Sequence, residues 1–222
     1  MAQSALLKSS IAKKVAMALS GIFLMLFLAQ HFFINMTSVF SPDTFNSLSH
    51  FMGNNALVQF VIQPILIVGV VFHFIMGFVL EIKNRSARPI AYVKNNGGAN
   101  SSWASRNMIY SGLVILAFLG LHFYDFWVPE MVYKYVEVNP LEATRYYHEL
   151  AEKFESPVRT ALYCLSFVLL SLHLKHGFSS SFQSVGFNNK YSKGLKNFGL
   201  AFAFVVPFGF IFIALFHYFI QH

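Results

Sequence analysis

Long apolar runs separated by short polar stretches dominate the amino-acid sequence. The polar stretches carry turn-forming residues, as in Ser41-Pro42-Asp43, and no strand-like alternation competes with a helical interpretation. At about 1.5 Å per residue, five apolar runs can cross roughly 30 Å of hydrocarbon as helices. The sequence therefore predicts an all-α bundle of five transmembrane helices in a single domain over residues 1–222. The predicted helices cover residues 15–38, 57–81, 107–128, 158–178 and 198–219.

Composition favours a membrane protein over a soluble one. Hydrophobic residues make up 56% of the chain and charged residues only 11%, whereas soluble domains carry about 25% charged residues. The apolar run from Val15 to Ile34 is too long for the roughly 7–15-residue core of a signal peptide, so we expect it to remain as the first helix. The single cysteine, Cys164, excludes an internal disulfide and a paired-cysteine metal site.

The charged residues are distributed asymmetrically around the predicted helices. One side carries most of the basic residues, namely Lys8, Lys13, Lys14, Lys83, Arg85, Arg88, Lys94, Arg106, Lys175, Lys190, Lys193 and Lys196. The other side carries the acids Asp43, Asp125, Glu130, Glu137, Glu142, Glu149, Glu152 and Glu155. The positive-inside rule then places the N-terminus in the cytoplasm and the C-terminus outside. The net charge of +7 is therefore a topology signal rather than a sign of nucleic-acid binding. The polar segment 129–157 is expected to form a surface helix over the outer end.

Each of the first four predicted helices contains one deep histidine, at a similar distance from its start: His31, His73, His122 and His173. Ionisable residues inside a membrane are costly and usually functional. Because successive helices reverse direction, the first and third histidines lie near the outer surface and the second and fourth near the cytoplasm. The sequence thus predicts two histidine pairs at two levels, roughly 10–15 Å apart by helical rise.

Two histidines on neighbouring helices are a suitable ligand pair for a b-type haem, which takes one neutral imidazole on each face. We therefore expect an outer haem held by His31 and His122 and an inner haem held by His73 and His173. Gly77 and Gly177 each follow an inner histidine by one helical turn, which leaves room for the porphyrin edge. A zinc site fits less well, because the pairs lack acidic or thiol ligands.

The remaining histidines are weaker candidates. His176 lies one turn beyond His173 and is an alternative ligand, but it is nearer the inner surface. His217 lies in the fifth run without a partner of its own. His50, His148 and His222 lie in polar segments and are expected to be solvated.

The sequence also resembles the cytochrome b membrane anchor of succinate dehydrogenase and fumarate reductase, in the bacterial class with one five-helix, two-haem subunit. The resemblance covers essentially the whole chain. Its marks, besides the four histidines, are Ser20-Gly21, Gly77, Asn84, Ala87-Arg88-Pro89, Trp103-Ala104-Ser105-Arg106, Phe126-Trp127-Val128-Pro129, His176-Gly177 and Gly186. In that family the histidines pair first with third and second with fourth, as the depth argument also indicates. The alignment of Gly177 and Gly186 favours His173 over His176.

The resemblance implies a subunit of a succinate:quinone oxidoreductase in the bacterial inner membrane. An iron–sulfur subunit and a flavoprotein subunit would dock on the cytoplasmic face, and the dicarboxylate chemistry would belong to the flavoprotein. Electrons would pass through two haems b to or from a membrane quinone, here expected to be menaquinone. Some members use a glutamate two residues before the fourth ligand to carry protons, whereas this chain has Ser171 there.

Further site residues follow from these expectations. Haem propionates need hydrogen-bond donors and positive charge at the cytoplasmic end, and the candidates there are Ser20, Trp103, Ser105 and Arg106. A quinone site needs an apolar slot with a few polar groups. We expect it near the outer haem, where the candidates are Gln30, Asn46, His50, Gln59, Gln63, Tyr124 and Asp125. An inner site beside the iron–sulfur subunit remains open.

Two alternative functions remain open at this stage. A dihaem cytochrome b subunit of another quinone-linked dehydrogenase, such as formate dehydrogenase or hydrogenase, usually places two ligands on one helix. A transporter would use the histidines as proton relays, but transporters commonly show repeats and broken helices, and neither is evident from the apolar runs.

Overall fold

The computed structural model describes residues 9–86, 106–187, 189 and 192–222. It is 91% helical and has no strand in the part of the chain that it describes, which confirms the predicted all-α class. We number its α-helices in chain order as α1 Ser10–Phe40, α2 Pro42–Asn54, α3 Gln63–Ser86, α4 Met108–His122, α5 Val128–Met131, α6 Arg145–Glu155, α7 Pro157–Ser184 and α8 Ser192–Gln221.

Five helical segments of the described chain are long and apolar enough to cross a membrane, as predicted. They are span 1, Ser10–Phe40; span 2, Val58–Ser86; span 3, Met108–Val136; span 4, Pro157–Ser184; and span 5, Ser192–Ile220. Each is longer than its apolar run, because backbone hydrogen bonding continues into the polar flanks. We call the end of the bundle where span 1 begins the inner end, and the opposite end the outer end.

Side-chain caps fix several helix starts. Ser41 separates α1 from α2, and its Oγ accepts a hydrogen bond from the backbone N–H of Thr44 at 3.2 Å. Pro42 follows at the first helical position, where its missing N–H costs nothing. The turn predicted at residues 41–43 is therefore a one-residue break between two helices, and α2 was not anticipated. Ser156 and Pro157 start α7 in the same way.

Spans 2 and 3 contain wide π turns as well as α-helix. Val58–Ile62 begins span 2, and Phe123–Trp127 and Val132–Val136 lie in span 3. Such turns are rare and occur frequently at functional sites. With these turns span 3 continues past Pro129 to Val136, well beyond its predicted end at residue 128.

The tightest packing joins spans 1, 4 and 5. Span 2 has no buried residue, and Asp125 is the only buried residue of span 3. Spans 2 and 3 therefore lie against the bundle with their histidines half-buried rather than sealed in a packed core. The main core cluster consists of Phe45, Leu150, Phe154, Tyr163, Phe167, Val206, Phe210, Ile213 and Ala214.

The surface helix expected in the long outer segment is α6. Its apolar side buries Leu150, Ala151 and Phe154, and two of these residues belong to the main core cluster. Polar contacts also tie α6 to span 3 and to α2. We call this group the outer clamp, and its members are Gly53, Glu130, Lys134, Arg145, Tyr146 and Glu149.

Within the clamp, Arg145 is the central residue. Its guanidinium forms ion pairs with Glu130 and Glu149 and stacks on the rings of Tyr133 and Tyr146 at 4.0 and 4.4 Å. Burial opposes the charge of Arg145, but the hydrogen bonds to Glu130 and Glu149 outweigh it, so its pKa lies above the ordinary value. Burial, followed by the hydrogen bond to Glu130, raises the pKa of Tyr146.

Candidate functional site

At the inner level, a serine of span 1 fixes the protonation of His73. The Ser20 hydroxyl lies 3.0 Å from His73 Nδ1 and also donates to the carbonyl of Met17 at 2.8 Å. A hydroxyl has only one hydrogen, so Ser20 must accept from His73 Nδ1–H. The other ring nitrogen, Nε2, then carries a lone pair, which is the form that binds a metal.

The partner histidine is held in the same way by span 3. The Ser111 hydroxyl lies 3.1 Å from His173 Nδ1 and donates to the carbonyl of Met108 at 2.9 Å. His173 therefore donates from Nδ1 and keeps the lone pair on Nε2. Two neutral imidazoles with free Nε2 atoms thus come from spans 2 and 4 at one level.

Glycines beside both serines let the histidine rings approach. A Cβ added to Gly21 would lie 3.4 Å from His73 Cε1 and 3.0 Å from Ser181 Oγ. A Cβ added to Gly112 would lie 3.9 Å from His173 Cε1. Each Ser-Gly pair therefore provides a hydrogen-bond acceptor and an open helix surface for one inner histidine.

The glycines one turn after the inner histidines also face matching neighbours. A Cβ on Gly77 would lie 3.7 Å from the methyl group of Met17, and one on Gly177 would lie 4.0 Å from the methyl group of Met108. These are ordinary contact distances to flexible side chains. The expectation that the two glycines leave room for a porphyrin edge stays a prediction.

At the outer level, His31 and His122 lie face to edge. Their ring centroids are 5.8 Å apart and the ring planes meet at 84°. His31 stacks on Phe27 with centroids 5.4 Å apart, and His122 stacks on Phe118 with centroids 5.8 Å apart. His122 Nδ1 is buried without a hydrogen-bond partner.

The spacing of the outer histidine rings is close to that of two imidazoles on one metal ion. Two imidazoles that bond one metal ion at about 2.0–2.1 Å each have ring centres roughly 6 Å apart. The outer pair, at 5.8 Å, has nearly this spacing. Among the described residues, no three His, Cys, Asp or Glu side chains come together as a metal-ion site. Two neutral imidazoles on neighbouring helices are the donor set that a bis-histidine haem would require.

A sequence repeat relates the site residues of span 1 to those of span 3, and the apolar runs alone do not reveal it. Span 1 has Met-x-x-Ser-Gly followed by Phe and His, and the same residues recur in span 3 at a constant offset. The first copy is Met17, Ser20, Gly21, Phe27 and His31, and the second is Met108, Ser111, Gly112, Phe118 and His122. Aligning spans 1 and 3 on their histidines would have found Ser111 and Gly112. The repeat was not evident from the apolar runs, because hydropathy does not distinguish which polar residues recur.

The propionate candidates are only partly covered by the structure. Ser20 lies at the inner level, with its hydroxyl engaged by His73 and the Met17 carbonyl. Arg106 is an exposed residue just before span 3. Trp103 and Ser105 lie outside the described residues. Propionate binding by any of the four stays a prediction.

Two quinone candidates meet near the outer clamp. Gln59 donates from Nε2 to the Gly53 carbonyl and accepts from the Tyr135 hydroxyl at 3.1 Å. His50 donates from Nε2 to the Ala143 carbonyl at 3.1 Å. Both side chains therefore already have protein partners at the outer end of the bundle.

Three further quinone candidates are exposed or half-buried. Gln30 is exposed, and its Nε2 lies 3.3 Å from Met52 Sδ. Tyr124 is 68% exposed on the outside of span 3. Gln63 is half-buried at the start of α3.

The last two candidates are buried. Asn46 accepts the backbone N–H of Tyr147 at 2.9 Å and so ties α2 to α6. Asp125 Oδ2 accepts the Tyr163 hydroxyl at 2.9 Å and pairs with Arg159 Nε at 3.1 Å, whereas Asp125 Oδ1 has no partner. Of the seven quinone candidates, Asp125 is thus the one with a free buried acceptor.

The fifth deep histidine, His217, has a structural contact. Ser38 donates to the Asn35 carbonyl at 2.7 Å and lies 2.9 Å from His217 Nε2, so it accepts from His217 Nε2–H. Both residues are fully buried and join spans 1 and 5. His217 therefore uses its Nε2 for a packing contact, whereas the inner histidines keep Nε2 free.

Comparison with known proteins gives no match: no family model, curated protein or solved structure is similar to this chain. The function therefore has to be argued from the histidine pairs and the fold.

Proposed function

We propose that this chain is a dihaem membrane cytochrome b, with His31 and His122 as ligands of the outer haem and His73 and His173 as ligands of the inner haem. The observation that carries the proposal is the matched pair of Ser–His contacts at the inner level. These contacts leave two Nε2 lone pairs at one depth, and a multi-spanning fold supplies a second histidine pair at another depth.

More particularly, we propose that it is the membrane-anchor and quinone-reactive subunit of a succinate:quinone oxidoreductase. The support is the sequence resemblance, the five spans, and one ligand histidine on each of spans 1 to 4. The N-terminus would lie in the cytoplasm of a bacterium, where an iron–sulfur and a flavoprotein subunit would dock. The quinone, expected to be menaquinone, would exchange near the outer haem.

The protein's own contribution would be ligation, orientation and exclusion of water. Bound haem would supply one-electron transfer without an open iron position, which suits electron passage rather than oxygen chemistry. Ser20 and Ser111 orient the inner rings and fix their tautomers. Phe27 and Phe118 support the outer rings from one face.

The other dihaem cytochromes remain the main alternative within this class. They usually place two ligands on one helix, whereas here each of spans 1 to 4 carries one of the four proposed ligands. His176 shares span 4 with His173, but the serine contact selects His173. The transporter alternative gains the repeat as an argument, yet the repeat preserves the two outer histidines and the serines that contact the inner histidines rather than a substrate pocket.

Purification of the intact complex from its native membrane tests the proposal. We expect a reduced-minus-oxidised haem spectrum, co-purifying flavoprotein and iron–sulfur subunits, and succinate-dependent quinone reduction. A dihaem spectrum with subunits of another dehydrogenase would support the class and contradict the particular assignment. A colourless protein would contradict both.

A further inference from the structure

We propose that Asp125 sets the redox potential of the outer haem by accepting, through one bridging water, the hydrogen bond of His122 Nδ1–H. This inference rests on the proposed function, because it assumes that His122 ligates a haem. It assigns Asp125 a positioning role beyond that of a quinone candidate.

The first argument is that two buried polar atoms of span 3 lack partners. If His122 ligates through Nε2, as the inner histidines do, its Nδ1 carries a hydrogen. That nitrogen is buried with no acceptor, and Asp125 Oδ1 is buried with no donor. A buried polar group without a partner costs about 1–3 kcal/mol, so such groups are nearly always paired directly or through water.

The second argument is proximity. Tyr163 joins the two residues from span 4, because its ring centroid is 6.4 Å from that of His122 and its hydroxyl donates to Asp125. The π turn Phe123–Trp127 begins directly after His122 and contains Asp125 as its only buried residue.

The third argument is the charge of the acceptor. Arg159 Nε forms an ion pair with Asp125 Oδ2 at 3.1 Å, and a carboxylate acts only as an acceptor. A carboxylate that accepts a hydrogen bond from the ring nitrogen that does not bind the metal makes a ligand histidine a stronger electron donor. Ferric iron is then stabilised relative to ferrous iron. The inner histidines donate to neutral serine hydroxyls instead, so the outer haem should be the harder one to reduce.

Redox titration of the two haems in the purified complex tests the inference. Asp125→Asn keeps the shape but removes the charge, and should shift the outer-haem equilibrium roughly tenfold toward the reduced form, about 59 mV for one electron. Tyr163→Phe changes no charge but removes one donor to the carboxylate, which then accepts more strongly, so the equilibrium should shift roughly threefold in the opposite direction. The inner haem should not move in either variant.

The two variants separate this role from a structural one. General loosening of span 3 would move the outer haem in the same direction in both variants, and that result would overturn the inference. So would an unchanged outer haem in Asp125→Asn with both haems present. If Asp125→Asn does not retain the outer haem, Tyr163→Phe decides alone, and a potential that stays the same or rises contradicts the inference. Absence of haem from the unmodified complex would instead contradict the proposed function.

Discussion

At the scale of single residues, the hydroxyls of Ser20, Ser111 and Ser38 each select one tautomer of a histidine. Each hydroxyl gives its hydrogen to a backbone carbonyl of its own helix and accepts from the ring. At the inner level the ring donates from Nδ1, and in His217 it donates from Nε2. The same residue pair would therefore prepare a metal ligand in one place, and it forms a packing contact in another.

Replacing the inner serines tests this distinction. Ser20→Ala and Ser111→Ala should each weaken inner-haem retention by about 10–100-fold, because removal of a partner of a ligand histidine typically has that effect. Haem content and the reduced-minus-oxidised spectrum after detergent extraction provide the measurement.

Ser38→Ala is the matched control for those variants. It removes the same kind of contact from His217, at a cost of about 1–3 kcal/mol for a buried unpaired donor, but both haems should remain. Equal haem loss in all three variants would show that the serines act only through overall stability.

At the scale of helices, the close packing of span 5 against its neighbours depends on glycines. Phe32 of span 1 lies against Gly209 so closely that an added Cβ would overlap its ring. Gly209→Ala should therefore lower the stability of the bundle by about 1–3 kcal/mol through overpacking. Thermal unfolding in detergent measures the loss.

Gly194, in the same helix, is the control for that substitution. An added Cβ there meets nothing within 4 Å. Gly194→Ala should leave stability unchanged or raise it slightly, since alanine has the higher helix propensity. A similar loss in both variants would mean that Phe32 does not press on Gly209.

The outer clamp should make the attachment of α6 sensitive to alkaline pH. The raised pKa of Tyr146 means that the folded protein holds this proton more tightly than the unfolded chain does. Its contribution is fully present below the ordinary tyrosine pKa of about 10 and is lost as pH rises through the raised value.

Thermal unfolding between about pH 9 and pH 11 measures this effect. Tyr146→Phe should be less stable than the native protein at neutral pH, because it lacks the hydrogen bond to Glu130. It should also lose less additional stability on alkalinisation. Parallel losses in both proteins would exclude Tyr146 as the titrating group.

Hydropathy predicted all five spans, because a helix that crosses a membrane must satisfy its backbone internally and present apolar side chains. It did not predict α2, whose residues are mixed and whose start depends on the Ser41 cap. It also ended span 3 at residue 128, before Pro129, whereas π turns on either side of α5 carry the helix to Val136.

Among the site residues, matched depth indicated the four histidines as candidates, but it did not indicate that serines contact the inner pair. A serine inside an apolar run looks neutral by hydropathy, and only the contact between spans 3 and 4 gives Ser111 its role. Likewise, Asp125 lies near the predicted end of an apolar run, yet the structure buries it against Tyr163 and Arg159.

At the scale of the whole molecule, the two proposed haems would carry electrons along the bundle. The quinone would exchange protons at the outer end. Some members of the resembled family carry protons with a glutamate at the position that Ser171 occupies here. Ser171 is buried in span 4 and has no acidic group. Turnover should therefore respond to membrane potential. Quinone reduction in proteoliposomes with an imposed potential measures this, and indifference to the potential, with an inhibitor bound at the inner end, would contradict an outer quinone site.

The central claim is that four histidines hold two haems, and haem quantitation in the purified complex tests it most directly. The account predicts two haems b per chain. His73→Ala or His173→Ala should remove the inner haem alone, and His31→Ala or His122→Ala the outer haem alone. His217→Ala, a buried histidine outside both pairs, should retain both haems. One haem or none in the native protein, or haem loss on replacing His217 equal to that on replacing His73, would contradict the account.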